Sequence, residues 1–300
     1  MTDSAESPAF RDLVGLLRDR RFVVLSGAGC STESGIPDYR GPKTRRKARN
    51  PIQYRDFMAD PAAQRRYWSR SAVGWPRLAQ ARPNDGHRAL ARLEQARLVR
   101  GIITQNVDRL HHAAGSRSVI ELHGALAEVC CLDCKAVEPR QALQQRLLDL
   151  NPGWTTHTAE LAPDGDVELP DEATRAFRVP RCRRCDGMLK PNVVFFGENV
   201  PRERVEAAWR LFREADVLLV VGSSLTVYSG YRFVLKAARE ALPVAIVNLG
   251  PTHGDTLARI CLGGKTGEVL PRLADILIGP ENNGHPSSLS QKTQTEEHWL

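Results

Sequence analysis

Two cysteine pairs, Cys131-x-x-Cys134 and Cys182-x-x-Cys185, place four thiols at the spacing of metal ligands. Four thiolates close a tetrahedral zinc site and leave no position open, so such an ion holds a fold and does no chemistry. Cys130 adjoins Cys131, but only Cys131 gives the two-residue spacer of the second pair. The stretch between the pairs is longer than in a compact ribbon and reads as an excursion. A nucleic-acid-binding ribbon is the rival use. Arg181, Arg183 and Arg184 would serve it, yet no aromatics interleave with them for base stacking.

A second chemistry lies in Gly27-Ala28-Gly29-Cys30-Ser31-Thr32-Glu33-Ser34-Gly35-Ile36-Pro37-Asp38-Tyr39-Arg40-Gly41, directly after apolar Phe22-Val23-Val24-Leu25. Glycine lets a backbone turn tightly and approach a ligand. Free N–H groups at such a turn suit a pyrophosphate. This is half of a dinucleotide fingerprint: Thr32 stands where the third glycine belongs, and Lys43-Thr44-Arg45-Arg46-Lys47-Ala48-Arg49 where an acidic ribose partner would. An ordinary glycine-rich turn is the plainer alternative. His123, beside Gly124 at the end of Val119-Ile120-Glu121-Leu122, can enter a cleft as a base, although a lone histidine is more often structural. Ser223, Ser224 and Asn248 suit ribose hydroxyls, or simply cap helices.

Alternating helices and buried-type strands must hold these groups. Ser7-Pro8 opens a helix bearing Phe10, Leu13, Val14 and Leu17 at helical spacing. Residues 43–82 read as irregular helices lining a cleft or forming a small subdomain. Asn84 caps a helix with Ala89, Leu90, Leu93 and Ala96 on its apolar face. Strands are expected at 98–104, 119–124, 193–196, 217–221 and 244–248, with helices at 202–213 and 231–240. That rhythm predicts a parallel sheet covered on both faces. Four strands end in turns that carry the chemistry: Gly27, Gln105-Asn106, Gly222-Ser223-Ser224 and Asn248-Leu249-Gly250. Ligands of open parallel sheets sit at that carboxyl edge.

Composition narrows the class. A chain of 300 residues with 42% hydrophobic and 26% charged residues is that of a globular protein. No apolar run approaches the ~20 residues of a membrane helix. Asp3, Glu6 and Asp12 argue against a secretory or transit leader, so a cytoplasmic location is expected. The net charge of +7 fits a phosphate-bearing cofactor, though most of it reads as solvated surface. Seven cysteines, an odd number with no export signal, point to metal or free thiols rather than disulfides.

Together these stretches resemble the sirtuin family of NAD-dependent protein deacylases. The resemblance runs in order from Phe22 to Leu277: G-A-G-x-S-x-x-S-G-I-P-D-Y-R (Gly27 to Arg40), T-Q-N-V-D-x-L-H-x-x-A-G (Thr104 to Gly115), E-L-H-G (Glu121 to Gly124), the cysteine pairs, F-G-E (Phe196 to Glu198), G-S-S-L-x-V (Gly222 to Val227) and V-N-L-G (Val247 to Gly250). Tyr39, the segment Val227 to Phe233 and the long stretch between cysteine pairs look like the class II branch.

The resemblance implies a Rossmann-type NAD-binding domain (1–42, 84–127 and 190–280) and a smaller helical, zinc-binding module (43–83 and 128–189), with a polar, disordered tail at 281–300. It implies NAD and one structural Zn2+ as cofactors. Ala28, Gly29, Ser31 and Arg40 would surround phosphates and ribose, with Gly27 and Tyr39 in the same loop. Ile36, Asp38, Asn106 and Asp108 would line the nicotinamide pocket, with Val107 between them. Gln105, Gly222, Ser223, Ser224, Asn248, Leu249 and Gly250 would hold the ribose and adenine side, with Thr266 a further adenine-side candidate. His123 would be the general base and Asn106 its catalytic companion. An acyl-lysine protein substrate would bind as an extended strand between Phe196-Gly197-Glu198 and Leu225-Thr226-Val227. Neither nucleic acid nor membrane is expected as a partner, and the chain is expected to be a monomer.

The implied reaction is NAD-dependent removal of an acyl group from lysine, giving nicotinamide, O-acyl-ADP-ribose and free lysine. Mono-ADP-ribosyl transfer to protein is the alternative from the same site, and an NAD-sensing binder is the alternative from another class. Retention of His123 and of the Gln105–Asp108 run argues against a pure binder. Candidates for reading an acidic acyl group are Tyr54 with Arg55, Tyr67 with Arg70, and Arg45, Arg46 or Arg49.

Overall fold

The structure is a computed structural model that describes residues 7–38, 51–154, 169 and 174–279. Tyr39, Arg40, the basic run at 43–49 and the tail at 281–300 lie outside the described residues.

Local signals set the first elements. Ser7 caps helix α1 (Pro8–Leu17), its Oγ accepting from the Phe10 N–H. Strand β1 (Phe22–Ser26) is buried throughout, as a central strand of a covered parallel sheet must be. Asp60 accepts from the N–H groups of Ala62 and Ala63 and starts α3 (Pro61–Gln80), which follows the short α2 (Tyr54–Ala59). Residues 54–80 are therefore more regular than the sequence suggests. Asn84 caps α4 (Asp85–Gln95) as expected, and a single later turn forms α5 (Leu110–Ala113).

Six parallel strands form the main sheet, in the order β3 (Val119–Glu121), β2 (Val99–Thr104), β1, β7 (Val217–Val221), β8 (Val244–Asn248), β9 (Ile260–Gly263). Numbered within this sheet, the order is 3-2-1-4-5-6, that of a Rossmann sheet, and the switch point falls between β1 and β7. Alternation along β1 explains the two covering layers. Phe22 and Val24 face one core, with α1, α4 and α9 (Thr266–Ile278). Val23 and Leu25 face the other, with α7 (Arg202–Arg213) and α8 (Tyr228–Arg239).

A second, antiparallel sheet joins β5 (Val137–Pro139), β4 (Gly124–Cys131) and β6 (Leu189–Val193). It packs with α3 and α6 (Arg140–Leu150) around Trp68, Trp75, Val129, Leu143 and Phe195. The sequence places 193–196 in the main sheet, and the structure does not. Val193 and Phe195 alternate into the small core instead. The expected limits at 127/128 and 189/190 also cut β4 and β6, which pair with each other, so the small layer begins at Gly124. Strand β9 is the strand of the main sheet that sequence reading omits, and it omits helix α9 as well.

Candidate functional site

Because the main sheet is parallel, the turns after β2, β1, β7 and β8 lie side by side on one edge. Those after β1 and β7 interlock. The Gly27 N–H donates to the Val221 carbonyl (3.1 Å), and the Gly29 N–H to the Gly222 carbonyl (2.8 Å). A Cβ on Gly27 would stand 2.7 Å from the Ser223 Cβ, and one on Gly29 2.9 Å from the Gly222 oxygen. Gly222 has φ +59, and a Cβ there would lie 2.3 Å from the Cys30 nitrogen. The glycines thus serve loop-to-loop contact. Cys30 and Ser31 N–H groups also have backbone partners, so the amides of Gly27, Gly29, Cys30 and Ser31 are not left free for an anion, as the bare fingerprint suggests.

Gln105 is the hub. Its N–H donates to the Ser26 carbonyl (2.9 Å), and its Oε1 accepts from Ser223 Oγ (2.7 Å). Its carbonyl accepts from His123 Nδ1 (2.9 Å). That bond fixes the His123 tautomer: a carbonyl only accepts, so Nδ1 carries the proton and Nε2 the lone pair. Nε2 lies 2.7 Å from Ser229 Oγ, which donates to it. Burial, with Arg232 and Arg204 nearby, pushes the imidazole down to about 4, against the Gln105 bond. His123 is a neutral base at physiological pH.

Asn106 turns the other way. Its Nδ2 donates to Ser31 Oγ (3.0 Å), which donates to Asp108 Oδ2 (2.6 Å). The Leu110 N–H also bonds Asp108, whose carboxyl is raised by burial despite these bonds. Ile36 is buried in the small core together with Leu110, and Val107 packs against it. Both the β1 and β2 loops therefore reach across to the second layer. Asp38 is half-buried. At the far end, Asn248 Nδ2 donates to the Gly250 carbonyl (2.7 Å) and Leu249 is exposed. Ser224 Oγ meets Thr226 Oγ1 (3.0 Å). Thr266 is buried, against Gly86 and the Cys30 thiol.

Two segments flank His123. Its carbonyl accepts from the Val194 N–H (2.8 Å), which leads into Phe196-Gly197-Glu198. That segment is pinned by the Tyr54 N–H on the Phe196 carbonyl (2.8 Å) and by Glu198, which holds the Phe195 N–H and Lys190. On the other side, Ser229 follows Leu225-Thr226-Val227. Gly230 lets the α8 N-terminus close on Gln105, because a Cβ there would sit 2.5 Å from its Nε2. Sequence reasoning missed Ser229. A serine at a helix start carries no signal of its own, and its meaning comes from the fold.

Of the acyl-reading candidates, Arg55 is exposed and paired with Asp56. Tyr67 is wedged among Phe57, Trp68 and Phe195. Arg70 donates to the Leu169 carbonyl.

In the small layer, Cys131, Cys134, Cys182 and Cys185 bring one donor atom each within 4.8 Å of one another. Cys131 and Cys185 sulfurs are 3.5 Å apart, and those of Cys134 and Cys182 3.7 Å. Zinc at about 2.3 Å from each sulfur puts sulfurs about 3.8 Å apart. The set is therefore compatible with a structural zinc. Each pair is followed by a left-handed residue, Lys135 (φ 61) or Asp186 (φ 59), which turns both thiols inward. Cys130 is outside the cluster, as strand alternation requires.

The sheet order, the interlocked glycine turns and the four-cysteine layer define a Rossmann-type fold with an inserted metal-binding module. The chain belongs to the Sir2 family, whose model matches residues 27–229. It is 53% identical to NAD-dependent protein deacetylase 1 of Mycobacterium avium, over 91% of this chain and 96% of that protein. It is 50% identical to the human NAD-dependent protein lipoamidase sirtuin-4, mitochondrial, over 84% and 81%. Among solved structures, a Sir2–peptide–NAD+ complex matches with a TM-score of 0.71 at 33% identity, covering 89% of this chain and 97% of that one. Sir2 with a deacetylated peptide and 3′-O-acetyl ADP-ribose matches with 0.72 at 33%, over 89% and 97%.

Proposed function

We propose that this chain removes acyl groups from protein lysine in an NAD-dependent reaction. The observation that carries the reading is His123: a neutral imidazole with a fixed tautomer, its basic Nε2 set between two backbone segments at the carboxyl edge of the sheet. The relatives named as an NAD-dependent deacetylase and a lipoamidase support it, and similarity to sirtuin-4 supports placement in the class II branch. When bound, the nucleotide would supply an electrophilic ribose carbon that accepts the acyl oxygen as the bond to nicotinamide breaks, and one water is consumed in releasing lysine, so that nicotinamide, O-acyl-ADP-ribose and free lysine result.

The chain's own groups divide the work. Asn106 and Asp108, locked to Ser31, line the nicotinamide end with Ile36 and Asp38. Gln105, Ser223, Asn248 and Leu249 hold the ribose and adenine side. Ala28 and Arg40 take the phosphates, and Ser31, whose N–H and hydroxyl are both engaged, holds Asn106 and Asp108 in place. His123 Nε2 takes a proton from a ribose hydroxyl, a step that a positioned base accelerates by about 10²–10⁴-fold. Phe196-Gly197-Glu198 and Leu225-Thr226-Val227 accept the substrate as an added strand, whose backbone bonds give affinity with little sequence preference. One Zn2+ on the four cysteines holds the small layer.

The test is a panel of one lysine peptide carrying acetyl, lipoyl, long-chain, succinyl or glutaryl-type groups, with NAD. The expected result is nicotinamide release matched by loss of at least one acyl group. If no acyl group is removed and no nicotinamide appears, the reading is wrong.

A further inference from the structure

Beneath the β1 turn lies a second convergence of ligand types. Cys30, His87 and His111 are 0%, 0% and 1% exposed. One donor atom of each lies within 4.8 Å of the others. Among the described residues, only this trio and the four cysteines meet that condition.

The hydrogen bonds decide which nitrogens are available. His111 Nε2 is 2.8 Å from Ser26 Oγ, and that hydroxyl gives its own proton to Thr104 Oγ1 (2.8 Å). Ser26 therefore accepts, Nε2 carries the proton, and His111 Nδ1 is a lone pair. Nδ1 is buried with no partner. In His87, Nδ1 lies 2.9 Å from Asn84 Oδ1. The Asn84 amide is oriented by its Nδ2, which donates to the Cys30 carbonyl (2.8 Å) and Ser34 Oγ (3.1 Å). The Asn84 N–H also points at Nδ1, at 3.4 Å. The shorter contact, 2.9 Å to an oxygen that only accepts, places the proton on Nδ1 and leaves Nε2 the lone pair. The nearest group to it, Ser31 Oγ at 3.5 Å, spends its proton on Asp108 at 2.6 Å. Each of these buried imidazoles thus keeps one unprotonated nitrogen, in a cluster with the Cys30 thiol. An orphaned buried acceptor is costly. In metal sites, an oxygen acceptor on the remote nitrogen is what orients a ligating histidine. Both histidines have one.

We infer that Cys30, His87 and His111 form a second metal site, with one thiolate and two imidazoles for a Zn2+-type ion. Thiolate and imidazole together select zinc or copper over hard cations. Binding releases the Cys30 thiol proton to solvent, and the histidines already present lone pairs. The ion draws Cys30 and His87 together, and Ser31 sits between them with its bonds to Asn106 and Asp108. Occupancy therefore distorts the turn that the proposed reaction uses, and zinc inhibits. That last consequence rests on the deacylase reading, and the metal count does not.

The purified protein is equilibrated with micromolar Zn2+, freed of unbound ion and analysed for zinc per chain. Two ions are expected in the wild type and one in both Cys30→Ala and His111→Phe. One ion in the wild type, or two in Cys30→Ala, overturns the site. X-ray absorption of the wild-type protein at two zinc per chain needs no variant to fold. It should require nitrogen as well as sulfur neighbours, and an all-sulfur shell overturns the assignment. In the acyl-peptide assay, added zinc should lower wild-type turnover at least threefold and leave Cys30→Ala unaffected. Two ions without any acyl removal keep the site and discard the deacylase reading.

Discussion

His123 gives up one nitrogen to hold its position and leaves the other basic. The Gln105 carbonyl takes Nδ1–H, so only Nε2 can act as a base. His123→Tyr fills similar space without a basic nitrogen. It should cut turnover by about 10²–10⁴-fold while the melting temperature stays within a few degrees, as paired kinetics and thermal melts will read. Ser229 tunes the same nitrogen. Its hydroxyl donates to the lone pair of the neutral ring and rotates to accept from the protonated one, and the charge-assisted bond is the stronger of the two. The bond therefore favours the charged form, against the burial that holds the imidazole down. In Ser229→Ala, His123 should protonate less readily, and the acid limb of kcat/KM should move to lower pH. A difference of about 1 kcal/mol between the two bonds corresponds to roughly 0.7 pH unit. An unmoved acid limb would show that Ser229 only packs. His123 was legible in the sequence because Glu-Leu-His-Gly follows a strand. Ser229 was not, because it lies 106 residues from its partner and nothing local links the two.

At the scale of elements, the strand-end turns act as a pair. Gly222 occupies left-handed φ and meets Cys30 backbone, so its requirement for glycine is both conformational and steric. The conformation alone costs about 1–2 kcal/mol for an L-residue. With the clash added, Gly222→Ala should lower the melting temperature by roughly 2–4 °C for each kcal/mol lost. It should also weaken the stabilisation conferred by NAD, because the β1 loop must shift. A scanning melt with and without NAD checks both effects, and an unchanged melt removes the interlock from the account. The sequence showed glycines after β1 and β7 but not their purpose. Each loop read alone suggests a ligand contact, and only the parallel register of β1 on β7 brings one loop against the other. The strands at 217–221 and 244–248 were legible as unbroken apolar runs, the mark of burial on both faces. Val193 to Phe196 misled for the same reason. Its alternation into the small core is invisible until β4 is known to pair with β6.

Across the whole molecule, the cysteine cluster and the cleft are joined through one core. Cys131 and Cys182 share that core with Ile36 from the β1 loop and Leu110 from beyond β2. The small layer is thus the floor on which two cleft loops stand. A zinc ion held there would act on the cleft mechanically, through that core. Cys182→Ser removes one of four thiolates and should lose the bound ion of that cluster. The small sheet should then loosen while the six-stranded sheet, with its own two cores, retains its circular dichroism. NAD should no longer raise the melting temperature of this variant, since stabilisation by a ligand requires a formed site. Ile36→Ala provides the control that keeps all four cysteines. Truncating this buried side chain costs about 2–5 kcal/mol, and it should weaken the NAD-dependent shift with zinc content unchanged. If Cys182→Ser loses its zinc yet responds to NAD as the wild type does, the shared core does not couple the two sites. The cleft loops would then be held by the main sheet alone.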